Sequence, residues 1–272
     1  MSTTPNRVGR RDALKVGGLA VSLAAIAAAC GEDRGGDSEP GRVGNAPPIT
    51  DPPSYPVDDT VLLRTAASLE YTVINAYLQM RALGGIDADL DELIGTFLVN
   101  HQVVADKMDE LTVAAGGEAW GCTNPWYMDR GIGPMMATIV GSDNPPRDMY
   151  NLAVALENLV AATNQSFSIR LTEADAQTEA LTAAKLESRQ SAALVVAARG
   201  REGYVSPGIN GEDVPPDADG IPQTFAITDR FGSIGQAELV MGAADENGVR
   251  TTYVLQIPAE NSYIYNELEP TC

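Results

Sequence analysis

Glu70, His101, Glu157 and Glu187 constrain this chain more than any other feature. Each lies in a segment whose apolar residues recur at steps of three and four, the period of one helix face. Each also falls on that apolar face. Glutamate is almost never fully buried unless it is paired or bound to metal. Four helices that each turn a ligand-competent group inward predict a four-helix bundle with a polar, metal-competent centre.

The stripes set the architecture. A first helix opens at Asp58 or Asp59 and carries Leu63, Ala66, Glu70, Val73 and Tyr77 inward; Gly84 and Gly85 end it. Asp87 or Asp89 opens a second, with Leu90, Ile94, Phe97, His101, Val104, Met108 and Leu111 along one face; Gly116 and Gly117 stop it. The short turn between them makes an antiparallel hairpin. A third helix follows Pro146, with Tyr150, Ala153, Glu157, Val160, Asn164, Phe167 and Leu171 inward. A fourth opens after Thr172 or Asp175, with Ala176, Ala180, Ala183, Glu187, Gln190, Leu194 and Ala197 inward, and ends at Gly200. The stretch 118–148 is irregular, apart from a short helix near 134–140, and reads as the long crossover between two hairpins. The halves echo each other: SLEYTVINAY at 68–77 aligns without a gap on ALENLVAATN at 155–164, which matches Glu70 with Glu157.

Beyond residue 200 the character changes. Gly, Pro and Asp punctuate 201–222, and β-prone runs follow at 224–228, 237–241 and 251–257. Asn247-Gly248 supplies a turn between the last two. The fold class is therefore mainly α: a four-helix bundle at 58–200 with a small β-rich C-terminal appendage at 201–272.

The chain opens with Arg7, Arg10, Arg11 and Lys15, followed by a mostly apolar run of fourteen residues, 16–29, too short to span a bilayer as a helix. This is the pattern of an export signal at 1–29. RRDALK at 10–15 resembles a twin-arginine signal, with Ala13 where a larger apolar residue is usual. AAAC at 27–30 resembles a lipoprotein cleavage box, with Ala27 in place of Leu. The resemblance implies a lipid on Cys30, an exported protein held on the outer face of the cytoplasmic membrane or in the envelope, and a flexible tether at 30–57. Removing 1–29 takes away four of 18 basic residues and one of 37 acidic ones, leaving 14 against 36 and a net charge of −22. That balance opposes nucleic acid and anionic lipid as partners. After Cys30 only Cys122 and Cys272 remain, and an oxidising compartment invites a disulfide between them, with two free thiols as the alternative.

LEYTVINAY, NHQVVADKM and KLESRQSAAL, within 58–200, carry a resemblance to the ferritin-like superfamily, in particular to ferritin-like domains of exported bacterial proteins. The resemblance implies a dinuclear site of two lone glutamates and two Glu-x-x-His pairs. Glu70 and Glu157 match the lone glutamates and Glu187 the Glu of the fourth-helix pair. Gln190 stands where its His would be, and His101 and Val104 take the Glu and His positions of the second helix. An alternative register through Gln102 and Ala105 abandons the apolar face. The ligand set is thus degenerate: Glu70, His101, Glu157 and Glu187, with Gln190, Tyr77 and Asn164 as outer partners. The implied cofactor is iron or manganese, with redox capability, if the set is competent, and none if it is not. In the second case the glutamates raise one another's pKa and share protons in a hydrogen-bonded core, and the protein is a non-catalytic binding or structural component of the envelope. An unidentified envelope protein is a candidate partner in either case. A ferritin cage is not expected, because a tether and a β appendage hinder its assembly. A hydrolase finds no nucleophile motif beside the single histidine, and GSIGQA at 232–237 lacks the spacing and lysine of a phosphate loop.

Overall fold

The computed structural model describes residues 55–200, 217–221, 235–260, 262–270 and 272. The export signal, Cys30, most of the tether and the expected strand at 224–228 lie outside them. Four long helices form the body: α1 (Asp59–Leu83), α2 (Ala88–Ala114), α4 (Pro145–Ser168) and α5 (Ala174–Arg199). The short α3 (Gly133–Val140) interrupts the crossover, behind a single helical turn at Pro125–Tyr127 and a wider π-type turn at Met128–Ile132. Strands β1 (Gly235–Met241) and β2 (Thr251–Ile257) pair antiparallel, Leu239 opposite Tyr253. Among the described residues no helix is long and apolar enough to cross a membrane.

Local chemistry accounts for the helix ends. The Asp58 carboxylate accepts from Val61 N at 3.0 Å and starts α1. Asp87 does the same for α2 through Leu90 N at 2.7 Å, and Asn144 for α4 through Arg147 N at 3.3 Å. Gly84, at φ 72°, ends α1 in a conformation that side-chain-bearing residues rarely adopt. Helix α5 opens after Thr172, the first of the two expected places, but its cap is not local. Neither Thr172 nor Asp175 caps it: Glu173 occupies the cap position without a side-chain bond. Asp59, from the first turn of α1, accepts from the Thr172 and Glu173 backbone N–H groups and from the Thr172 hydroxyl. The cap is tertiary, so its sequence neighbourhood does not reveal it.

Cross-helix contacts fix the topology. Asp59 at the start of α1 meets Thr172 beyond the end of α4, while Tyr150 near the start of α4 meets Asp87 at the start of α2. Thus α4 begins at the end of the bundle where α2 also began, and the crossover runs the bundle's length. On the way, Trp120 N donates to Asp109 and Asn124 N to Thr72 Oγ1.

Several stripe positions differ from expectation. Leu171 lies beyond the end of α4, buried in the turn that follows it. Ala197 is exposed in the last turn of α5. Val104 and Leu111 are only half-buried, while Ala105 and Thr112 take the inward seats on α2. The largest departure is α1, buried almost all round from Thr60 to Val73 rather than on one face. The C-terminal tail covers its outer side. Ile264 N donates to Thr65 Oγ1, and the buried Arg64 guanidinium donates to the carbonyls of Tyr265 and Leu268 at 2.7 and 2.8 Å. Arg64 also lies over the Trp120 ring, which packs with Cys122 and Ile264. Cys122 and Cys272 meet there at disulfide distance, their Cα atoms 5.5 Å apart. The strand pair rests on α3 and α4, through Tyr253 and Thr138 hydroxyls at 2.6 Å and Gly242 N to Asp148 at 2.8 Å.

Candidate metal centre

Helix phasing delivers all four candidate side chains to the interior. Glu70, Glu157 and Glu187 are fully buried and His101 is 1% exposed. Gln102, the residue of the alternative register, faces outward and bonds to the exposed Asp106, so His101 is the inward residue of α2. Glu70 comes from α1, His101 from α2, Glu157 from α4 and Glu187 from α5, one group per long helix.

Glu70, His101 and Glu187 offer ligand atoms that all lie within 4.8 Å of one another. Glu157 approaches His101 from the other edge of its ring. His101 Nδ1 is 2.6 Å from Glu70 Oε2, and His101 Nε2 is 3.1 Å from Glu157 Oε1. The three expected outer partners are present around them. The Tyr77 hydroxyl donates to Glu157 Oε1. Gln190 Nε2 donates to Glu157 Oε2 at 3.0 Å. Asn164 Nδ2 spans Glu70 Oε1 at 3.2 Å and both Glu187 oxygens at 3.0 and 3.2 Å. Asn100 is a participant that sequence reasoning missed: its Nδ2 donates to Gln190 Oε1 at 2.7 Å. It sits one residue before His101 and off the apolar stripe, so periodicity carries no signal for it.

Electrostatics follow from this burial. Burial alone lowers the His101 pKa, but the charges and hydrogen bonds of Glu157 and Glu70 reverse that and hold it well above the usual histidine range. Burial, then the neighbouring Glu70, pushes the Glu187 carboxyl well above the usual carboxylate range. Burial, then Glu157, raises the Tyr77 phenol. Without an ion, these surroundings favour the protonated form of His101 and the neutral form of Glu187.

The donor set fits a divalent ion. Carboxylate oxygens with one imidazole suit iron, manganese or zinc. Asn164 Oδ1 is buried without a hydrogen-bond partner among the described residues, although its amide nitrogen serves the two glutamates of the cluster. An acceptor left without a donor beside such a cluster is a hydrogen-bonding site that a further ligand would satisfy.

No protein-family model, no curated protein and no solved structure matches this chain. The arrangement of paired long helices around a buried, degenerate carboxylate and histidine cluster is consistent with the ferritin-like superfamily at the level of the fold.

Proposed function

We propose that this protein is an exported, lipid-anchored ferritin-like protein that binds one divalent ion, iron or manganese, through Glu70, His101 and Glu187. The supporting observation is that these three ligand atoms from three different helices lie within 4.8 Å of one another in the core. Carboxylate ligands favour the hard, higher-valent metal, so bound iron(II) would supply one electron to an acceptor such as O₂ or peroxide. The chain's own residues do the rest. Asn164 holds Glu70 and Glu187 side by side through one amide. His101, at its ligating nitrogen, and Glu187 would each release a proton to solvent on binding an ion. The apolar layers of α1 and α4, among them Leu69, Val73, Leu156 and Val160, keep water from the cluster. Only one imidazole is available for ligation, which argues against efficient four-electron chemistry at two metals.

A second reading rests on a specific observation. Both nitrogens of His101 already have carboxylate partners, at 2.6 and 3.1 Å, and burial with the neighbouring Glu70 favours a neutral Glu187, so no third charge needs a partner. Such a network pairs the charged groups of the cluster without an ion, and the protein then serves as a non-catalytic component of the envelope. The metal content of protein purified without chelators or added metal separates the two, together with titration by iron(II), manganese(II) and zinc(II). About one equivalent bound, lost in Glu187→Gln, supports the metal reading. No binding by the wild type overturns it in favour of the ion-free network.

A further inference from the structure

The resemblance makes Glu157 a metal ligand, but its surroundings assign it other work. Its two oxygens are both committed. Oε1 accepts from the Tyr77 hydroxyl and faces His101 Nε2 at 3.1 Å; Oε2 accepts from Gln190 Nε2 at 3.0 Å. The Gln190 amide is itself oriented, because Asn100 donates to its carbonyl oxygen at 2.7 Å and so turns the NH2 group toward Glu157. A chain of Asn100, Gln190, Glu157 and Tyr77, drawn from α2, α5, α4 and α1, therefore immobilises one carboxylate behind the imidazole. The opposite nitrogen, Nδ1, faces Glu70 at 2.6 Å, and Glu187 offers a carboxylate oxygen within 4.8 Å of ligand atoms of both residues.

Metal-binding histidines usually donate their second ring N–H to a carboxylate, which fixes the tautomer and makes the ligating nitrogen more basic. We infer that Glu157 is a positioning residue rather than a ligand: it holds His101 as the Nε2–H tautomer, so that Nδ1, Glu70 and Glu187 form a centre for one ion. The inference rests on the metal reading proposed above and specifies its ligand atoms and stoichiometry. It also accounts for Gln190 at a position where the superfamily pattern has histidine. A glutamine there supplies an N–H to anchor Glu157, where an imidazole would supply a second ligand. The competing tautomer would have Gln190 Nε2 donate to His101 Nε2, at 3.3 Å. Glu157 is nearer and charged, and charge-assisted bonds are the stronger kind. The Gln190 NH2 is moreover already engaged with Glu157 Oε2.

His101 is the single histidine of the chain, so its two ring nitrogens give an unambiguous 15N signature. The test is a zinc(II) titration of 15N-labelled full-length protein, zinc serving as a diamagnetic probe, followed by imidazole 15N shifts and by calorimetry. The expected result is one zinc per chain, a metal-bound shift at Nδ1 and a protonated Nε2. Glu157→Gln should keep the stoichiometry of one, weaken binding about 10–100-fold and give a mixture of tautomers; Glu187→Gln should abolish binding. Ligation through Nε2, two ions per chain, or a Glu157→Gln variant as inert as Glu187→Gln each overturns the inference while leaving metal binding intact. No zinc binding by the wild type overturns the inference together with the reading beneath it. The wild-type spectrum needs no variant, so a misfolded mutant leaves the test decisive.

Discussion

Glu187→Gln separates the two states of the core with one isosteric change. Glu187 is fully buried and holds its proton well above the usual range, through burial and then the adjacent Glu70. Glutamine has the same shape and no charge, so it reproduces the protonated form. Asn164 Nδ2 reaches both Glu187 oxygens, and the amide preserves one of the two acceptors. A neutral hydrogen bond contributes about 0.5–1.5 kcal/mol net, so the metal-free variant should lie within about 1.5 kcal/mol of the wild type near pH 4.5. A raised folded pKa stabilises fully below the unfolded value, here near 4.5, and that contribution is lost as pH rises through the folded value. The stability of the wild type relative to the variant should therefore fall as pH rises from 4.5. His101, also raised, loses its contribution only above its ordinary 6.5, and it is present in both proteins. The window from pH 4.5 to 6.5 thus isolates Glu187. Metal reverses the ranking. An ion at a hundredfold excess over Kd stabilises the native state by about 2.7 kcal/mol. In a domain of this size that raises Tm by roughly 5–11 °C. The wild type should show this gain with manganese(II) and the variant none, by scanning calorimetry. Equal gains in both would refute ligation by Glu187. A pH-independent difference between them would refute its buried proton.

Three further outcomes test the rest of the structure. A Cys122–Cys272 disulfide would close a loop at a sequence separation of 150, and chain entropy gives such a loop about 5 kcal/mol; a non-reduced digest should show the joined peptides and Cys272→Ser should lower the urea midpoint, whereas free thiols at both positions would reject the bridge. Asp59→Ala removes the tertiary cap of α5 and should destabilise by about 1–2 kcal/mol, whereas Glu173→Ala, at a cap position without a side-chain bond, should change little; equal effects would reject the cap. Cys30→Ala should release the protein from the membrane fraction or stall its processing, and unchanged mass and membrane association would reject the lipid anchor.

Helical periodicity was enough to place Glu70, His101, Glu157 and Glu187 inside, because one apolar stripe dictates the rotation of each helix whatever it packs against. Local sequence also placed the helix-ending glycines and narrowed the caps to Asp58 or Asp59 and Asp87 or Asp89; Asp58 and Asp87 cap, through hydrogen bonds that close within three residues. Composition and turn chemistry placed the strands at 237–241 and 251–257. Contacts between segments remote in sequence decided the remainder. The all-round burial of α1 depends on a tail some 200 residues away, and the start of α5 depends on Asp59. Which edge of the His101 ring faces Glu70 and which faces Glu157 follows from the relative depth of four helices and from Asn100 and Gln190. Periodicity fixes the direction of a side chain about its own helix axis. The atom it presents to a neighbour depends on axial offsets and amide orientations that exist only once the helices have packed.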